Sequence, residues 1–464
     1  MVRQSLVTQP IMLAALKQKG EDGLQSLLVK HGGAAAIFGG MISHLIFGTL
    51  YCWGNFASYA PPSLRFFDGQ EHKGSPDATL VFPLTLVSQC FAMPFGTMLA
   101  KQLGPRATML LGCSLVSAGV YMASFAKTLS TFIFFYSIVF GTGVGLGYTA
   151  AMIAGWKWMP HAKGLVSGLI LTGFGAGGFI FNLVGTYLAN PNGANPVNGK
   201  FPPEVYANFP KMLRTLSIVY ICMAALGSIF ITDPSAVGSI GSAPPSPDVE
   251  NSKKQTDKKE LAAPDGLALE EALKTPQFYL MWCMIVMSAS AGLNVASVYK
   301  QFASVSPALA GDSFQSLVGG LGALSNGGGR IFWGTLSDKI GFKQSFAILT
   351  LVQALVHAYY PSTSQSKIAF TFFTCLCYFL LAGNFALMPP SIQRIYGPKN
   401  GALIYGIIYS AFGFASIGSL FMNKHLSASL GLDGVFRVLS VFSIIAAVLT
   451  SQLVPVSKWA GSQV

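Results

Sequence analysis

Twelve stretches of about twenty or more mostly apolar residues run through the sequence, near 34–60, 78–100, 106–126, 129–156, 163–190, 212–232, 276–299, 314–337, 343–362, 367–390, 400–422 and 434–455. A stretch of that length crosses the hydrocarbon of a bilayer as a helix, with its backbone polar groups satisfied inside the segment. Hydrophobic residues make up 52% of the chain and charged ones only 10%, against about a quarter charged in soluble domains. A water-soluble core cannot absorb that much apolar surface. The pattern predicts an all-α membrane protein with twelve transmembrane helices.

Between the sixth and seventh stretches lies 233–274, with Gly-Ser-Ala-Pro-Pro-Ser-Pro at 241–247 and then Lys253, Lys254, Lys258 and Lys259. Such a segment buries too little surface to fold and reads as a flexible linker. The expected organisation is a tail over 1–33 with a surface helix near 11–28, a six-helix bundle over 34–232, the linker, a second bundle over 275–455, and a tail over 456–464. The two bundles repeat each other at an offset of about 238 residues. Gly96-Thr97…Lys101…Gly104-Pro105-Arg106 aligns with Gly334-Thr335…Lys339…Gly341-Phe342-Lys343, and Gly164…Gly168…Phe174-Gly175 with Gly401…Gly406…Phe412-Gly413. Pseudo-symmetric six-helix halves imply rocking about a site near the middle of the membrane.

The net charge of +12 comes from residues that punctuate the apolar runs and form no patch for nucleic acid. An even number of spans puts both tails on one side; the short loops alone do not decide which, adding the tails and linker gives that side more Lys and Arg, and its assignment to the cytoplasm is chiefly what the resemblance of the glycine loops, given below, implies. The first 33 residues lack the apolar core of a signal peptide; the plasma membrane is the expected location, with an intracellular membrane the alternative, and the expected state is a monomer. All seven cysteines fall in apolar runs and are expected to stay reduced. The Cys375-x-Cys377 pair lacks metal or redox spacing, so neither a metal nor a cofactor is expected.

All 17 acidic residues fall in loops, linker, tails or span edges, and so do all but one of the 29 basic residues. The exception is Arg330, in Ser325-Asn326-Gly327-Gly328-Gly329-Arg330. At 1.5 Å per residue from the span end near Asp338, it sits about 12 Å deep. A charge there costs at least about 2.5–3.5 kcal/mol. No span offers a carboxylate to offset it, which leaves water, backbone carbonyls or a visiting anion. A guanidinium fork matches a carboxylate bidentately, so Arg330 is the candidate anion site; the alternative is a structural lock at the membrane interface. Asn326 projects to the same face one turn earlier.

His44 is the other residue expected to titrate within the membrane, as a proton-coupling group or as a packing histidine; His357 is expected at an interface. Tyr51, Trp53, Tyr148, Tyr405 and Tyr409 are candidate cavity walls, with Tyr148 and Tyr409 foremost. The glycine runs at 141–147 and 173–178 lack the strand-to-helix setting of a phosphate loop and read as close helix packing.

The two glycine loops, Gly96–Arg106 and Gly334–Lys343, with the linker between halves, resemble the signature of the major facilitator superfamily, over about residues 34–455. The resemblance implies the major facilitator fold, with Gly96, Lys101, Arg106, Gly334, Asp338, Lys339 and Lys343 latching the cytoplasmic helix ends; the first copy has Ala100 where an aspartate is common. Arg330-x-x-x-Gly334, Tyr148…Trp156-x-x-x-Pro160, Gly383-Asn384-Phe385-Ala386-Leu387-Met388-Pro389 and Tyr405-Gly406-Ile407-Ile408-Tyr409-Ser410-Ala411 resemble the oxalate/formate antiporter and monocarboxylate transporter branches. Oxalate carriers of that branch place a lysine where Phe412 stands here. Proton-coupled monocarboxylate carriers place a lysine and an aspartate at the positions of Asn55 and Asn326. One cation in place of two implies a monocarboxylate such as pyruvate, lactate or formate as substrate, with Arg330, Asn326, Tyr148, Tyr409, Phe412, Tyr51 and Asn55 as the binding residues; the asparagines at 55 and 326 mean that the proton-coupling mechanism of those carriers does not carry across, and His44 is the candidate for moving a proton with the substrate. The competing expectations are a dicarboxylate exchanger, a carrier of another solute such as an amino acid, and a transporter-like nutrient sensor. A membrane enzyme is disfavoured, because no span groups a base, a nucleophile and an orienting residue.

Overall fold

A computed structural model describes residues 31–70, 76–194, 200–232, 267–397 and 399–453, without the side chains of Ser304, Asp312, Ser313 and Ser316. The expected tail helix near 11–28, most of the linker and the tail from 456 lie outside the described residues. The first half comprises α1 (His31–Phe56), α2 (Asp77–Gln102), α3 (Pro105–Ala123), α4 (Leu129–Trp158), α5 (Pro160–Ala189) and α6 (Pro203–Phe230). The second comprises α7 (Pro276–Ser304), α8 (Asp312–Ile340), α9 (Phe342–Tyr359), α10 (Lys367–Tyr396), α11 (Gly401–Ile408 and Ser410–Phe421) and α12 (Ser427–Ser451). Ten of these twelve fall in segments long and apolar enough to cross a bilayer by composition alone; α8 and α9 do not. In α8 the reason is its content of Arg330, Asp338, Lys339 and a glycine run. The helix that composition recommends least is the one that carries the buried arginine.

The repeat read from the sequence is visible in the backbone. Gly104 and Gly341, matched in the two glycine loops, hold φ of +82° and +83° and join α2 to α3 and α8 to α9. That conformation clashes in any residue with a Cβ. The halves meet along two helix pairs, α5 against α8 and α2 against α11. Since α2 corresponds to α8 and α5 to α11, the two seams are the same contact related by the pseudo-symmetry. Along one of them, a Cβ on Gly334 would lie 2.3 Å from the Gly164 carbonyl oxygen, and one on Gly164 would lie 2.3 Å from that of Gly334.

Three stretches depart from α-helical geometry. α1 tightens to a 3-10 turn over Gly48–Cys52, where it passes closest to α5. π-helical turns interrupt the helices at Phe134–Val139 and Met422–Leu426. Single-turn π segments of this kind concentrate at functional positions in helices. The far end of the linker is ordered: a short helix, Leu269–Ala272, buries Ala272, and the Asn400 side chain donates to the Leu267 carbonyl at 3.0 Å. His357 is not interfacial. It is wholly buried within the second half, its Nδ1 donating to the Gln353 carbonyl at 2.8 Å, because α9 turns this face toward α7 and α12. The cysteines among the described residues are all free thiols.

Gly48 marks where α1 and α5 come nearest, since a Cβ there would lie 1.9 Å from the Phe174 carbonyl oxygen. Gly48→Val should force the helices apart at a cost of about 1–3 kcal/mol, the usual range for overpacking. The expected outcome is a lower melting temperature in detergent. Gly418→Ala, where nothing lies within 4 Å, should melt as the parent does.

Candidate binding site between the halves

Arg330 is 1% exposed. α8 carries it to the seam between the halves, and Asn326 orients it: Nε donates to Asn326 Oδ1 at 3.1 Å, while Asn326 Nδ2 donates to the Tyr378 carbonyl at 2.9 Å. Each end of that amide makes one hydrogen bond, so Asn326 orients the guanidinium. The guanidinium carbon lies 5.1 Å from the ring centre of Phe174 on α5 and 5.0 Å from that of Phe385 on α10. One ring comes from each half. Each desolvated cation–π contact contributes about 2 kcal/mol. Nη1 and Nη2 have no partner at good hydrogen-bond geometry, with the Tyr51 hydroxyl lying beside the guanidinium, and among the described residues no acidic side chain pairs with Arg330. The effective penalty for burying such an ion is several kcal/mol. Two ring contacts and one hydrogen bond offset part of it and leave the two nitrogens that form the bidentate edge unsatisfied.

The unsatisfied edge is not alone. His44 on α1, Gln89 on α2, Tyr148 on α4 and Tyr405 and Tyr409 on α11 are all buried. His44 Nε2 and Gln89 Oε1 lack partners, and the Tyr148 hydroxyl faces those of Tyr405 and Tyr409. Nδ1 of His44 donates to the Gly40 carbonyl at 2.8 Å, which leaves Nε2 as the lone-pair nitrogen of the neutral ring. These rings are contiguous: His44 lies 5.4 Å from Tyr148, Tyr148 5.4 Å from Tyr409, and Tyr409 5.6 Å from Tyr405. Arg330 is within electrostatic reach of His44, Tyr51, Tyr148 and Tyr405. Phe412 stacks on Phe385 at 4.5 Å and lies tilted against Tyr409 at 4.7 Å, forming an apolar wall. Native interiors leave few buried polar atoms unpaired. A buried polar cluster with such atoms, drawn from five helices of both halves, is the geometry of a ligand site.

The structure thus brings together Arg330, Asn326, Tyr51, Tyr148, Tyr409, Phe412 and His44. Asn55 does not belong with them. Its amide donates to Thr186 Oγ1 at 2.8 Å and ties α1 to α5, and Thr186 lies twelve residues beyond Phe174, about 18 Å along the helix. Trp53 is likewise elsewhere, donating to the Ala78 carbonyl at 2.8 Å. Phe174, Phe385 and Gln89 were missed as site residues. Phe174 and Phe385 stand inside the repeat and resemblance stretches, so position was the available signal; Gln89 carried none.

The latch residues divide. Asp338 accepts from the backbone amides of Gly164 at 3.1 Å and Leu165 at 2.8 Å, capping α5 across the seam, and pairs with Arg394. A carboxylate on a helix N-terminus is favoured by the exposed amides and the helix dipole. Lys101 crosses the other seam, donating to the Lys399 carbonyl at 2.5 Å and to Asn400 Oδ1 at 3.5 Å. Gly96 and Lys343 act within their own halves, Gly96 against Leu146 and Lys343 on the Ser451 and Leu453 carbonyls at 2.8 Å. Arg106 and Lys339 are exposed. As expected of Ala100, the first glycine loop contributes no carboxylate, so the two seams are closed by different chemistry.

A helical membrane protein of two pseudo-symmetric six-helix halves, with a polar site buried on the axis between them, has the architecture of a secondary transporter. The Major Facilitator Superfamily model matches residues 37–314 and 297–460, and the chain belongs to that family. It is 24% identical over 477 residues to the apicoplast pyruvate carrier 1 of Toxoplasma gondii, covering 89% of this chain and 87% of that one. It is 24% identical over 418 residues to the oxalate:formate antiporter of Oxalobacter formigenes, covering 89% and 88%. The fold is similar to that of the proton:xylose symporter XylE, with a TM-score of 0.64 at 14% identity over 93% of this chain and 97% of that one. Fold and relatives are those of transporters, not enzymes.

Asp338→Ala removes the cap of α5 and the Arg394 partner together. Loss of a cap costs about 0.5–2 kcal/mol, so this end of the seam should open more often. Spin labels at His161 and Lys339 should report a population at longer distance in the variant; an unchanged distribution would mean the contact does not hold the seam.

Proposed function

We propose that the chain carries a small monocarboxylate, of the pyruvate, lactate or formate type, across the membrane by alternating access, with Arg330 holding the carboxylate. The observation that carries this reading is the pair of buried, unpartnered nitrogens Nη1 and Nη2, held in one orientation by Asn326, Phe174 and Phe385. A carboxylate is the planar bidentate partner for that edge. Relatives that span nearly the same length are named for pyruvate and for oxalate and formate. A dicarboxylate is the second reading, since one relative is named for oxalate. Phe412 stands against it: it presents an aromatic ring stacked on Phe385, and among the described residues the site holds Arg330 as its sole cation.

In this reading the substrate binds the guanidinium edge while the seams at the glycine-loop end are closed, and rocking of the halves breaks the Asp338 and Lys101 contacts to release it. The arginine is sandwiched by one ring from each half, so that movement changes its surroundings directly. His44 is the proposed proton acceptor, its Nε2 being a free lone pair close to the bound anion. The lysines of the linker and tails favour the cytoplasm for both termini, and the plasma membrane remains the proposed location.

The test is uptake of labelled pyruvate, lactate, formate and oxalate into proteoliposomes at two pH values. Truncating one partner of a buried charge pair costs about 2–5 kcal/mol, so Arg330→Lys, which keeps charge but loses the fork, should weaken carboxylate transport at least ~30-fold in a protein that still elutes as a single species. His44→Phe should abolish acceleration of uptake by an inward proton gradient; acceleration that persists removes His44 from the coupling.

A further inference from the structure

At the end of the first half opposite the glycine loops, α3 runs into the turn 124–128 and α6 packs beside it. The Arg214 guanidinium carbon lies 5.4 Å from the centre of the Phe125 ring, which brings the basic stretch of α6 against that turn. Lys211 precedes Arg214 by three residues and shares its helix face, and Lys127 follows Phe125 by two. Both lysines are exposed and Arg214 is half-buried. Among the described residues none of these three side chains makes a hydrogen bond or an ion pair. The acidic residue of α3, the turn and α6 is Glu204, seven residues before Lys211 and so about 10 Å away along the helix. The Phe125 ring covers one face of the guanidinium and leaves its N–H edge free.

Apolar side chains continue from this basic corner toward the membrane centre. Tyr121, one turn before Phe125 and 5.3 Å from it, is 42% exposed, and Ile218, one turn after Arg214, is 58% exposed. Lys211 and Arg214 stand where the apolar stretch 212–232 begins, the depth at which a span meets the headgroups. On the proposed topology this is the non-cytoplasmic end, where basic residues are ordinarily sparse. A single long basic side chain at a span end reaches the interface without needing a ligand. Three together, without an acid and above the exposed apolar faces of two packed helices, match a phospholipid in charge and in shape.

We infer that this corner binds an anionic phospholipid, its phosphate among Lys127, Lys211 and Arg214 and an acyl chain along Tyr121, Phe125 and Ile218. The phosphate accepts from the Arg214 fork and meets the two ammonium groups as point charges. A zwitterionic lipid offers the same phosphate but brings a cation of its own, which three protein cations repel. A soluble phosphate ester lacks the chain that covers the apolar faces. The site is built from the α3–α6 corner and is independent of what Arg330 holds.

The experiment titrates delipidated full-length protein in detergent with dioleoylphosphatidylglycerol, dioleoylphosphatidylcholine or glycerol phosphate. Bound species are counted by native mass spectrometry and the Tm is read in parallel. Phosphatidylglycerol should bind at least about tenfold more tightly than phosphatidylcholine and raise the Tm, since each basic residue near an anionic headgroup contributes about fivefold. Arg214→Gln and the double variant Lys127→Gln/Lys211→Gln should each lose about fivefold or more of that preference, with lipid-free Tm values showing that both fold. Lys424→Gln, an exposed lysine at the same end of the second half, should keep the preference. Equal binding of the two lipids by the unmodified protein overturns the site. A preference that survives in both variants, or falls as far in Lys424→Gln, also overturns it. Glycerol phosphate bound as tightly as phosphatidylglycerol overturns the assignment to a lipid.

Discussion

A guanidinium held between two aromatic rings, one from each half of a helical bundle, is the contact on which the rest of this molecule turns. Its charge has been taken out of water, its two faces are covered by Phe174 and Phe385, its Nε is tied to Asn326, and its outer nitrogens are left bare. A fixed carboxylate nearby would have given a permanent ion pair and a rigid seam. Among the described residues none pairs with Arg330, and in the proposed reading a visiting anion supplies the energy needed to settle the charge. An incoming anion is worth most where the electrostatics are least screened, and that place lies between the halves that the proposed cycle would rock.

The seams around this centre follow from the same symmetry and then depart from it. Glycines let α5 and α8 approach until backbone oxygens meet Cα atoms, and the α2–α11 contact is its pseudo-symmetric counterpart. One seam ends on a carboxylate that caps a helix, the other on a lysine that reaches a loop carbonyl and Asn400, which in turn holds the ordered end of the linker. A helix cap and a lysine–carbonyl bond differ in strength and in sensitivity to salt. The two seams are therefore expected to respond differently to ionic strength.

Much of this was written in the sequence. Apolar length gave twelve helices, and the glycine loops gave the repeat, because membranes impose length and backbone satisfaction on every span. Arg330 stood out because a lone charge in hydrocarbon has no bland explanation at low cost. What surrounds it was less legible. Phe174 and Phe385 are two of 35 phenylalanines, and only packing distinguishes a ring on the arginine from a ring on lipid. Asn55 and Asn326 looked equivalent as substitutions in a resemblance, yet one bridges α1 to α5 and the other orients the arginine. Asparagine has two bonding ends, and nothing in its spacing says which partners they find. His357 was misplaced for a related reason: a polar residue near a span end faces either headgroups or a neighbouring helix, and hydropathy does not separate the two.

The account stands or falls on where an anion sits. An experimental structure of the protein solved with pyruvate addresses this most directly. The account predicts density for the carboxylate against Nη1 and Nη2 of Arg330, between the rings of Phe174 and Phe385. A carboxylate bound elsewhere in the protein, or an Arg330 side chain paired with an acidic residue of the chain itself, would contradict it.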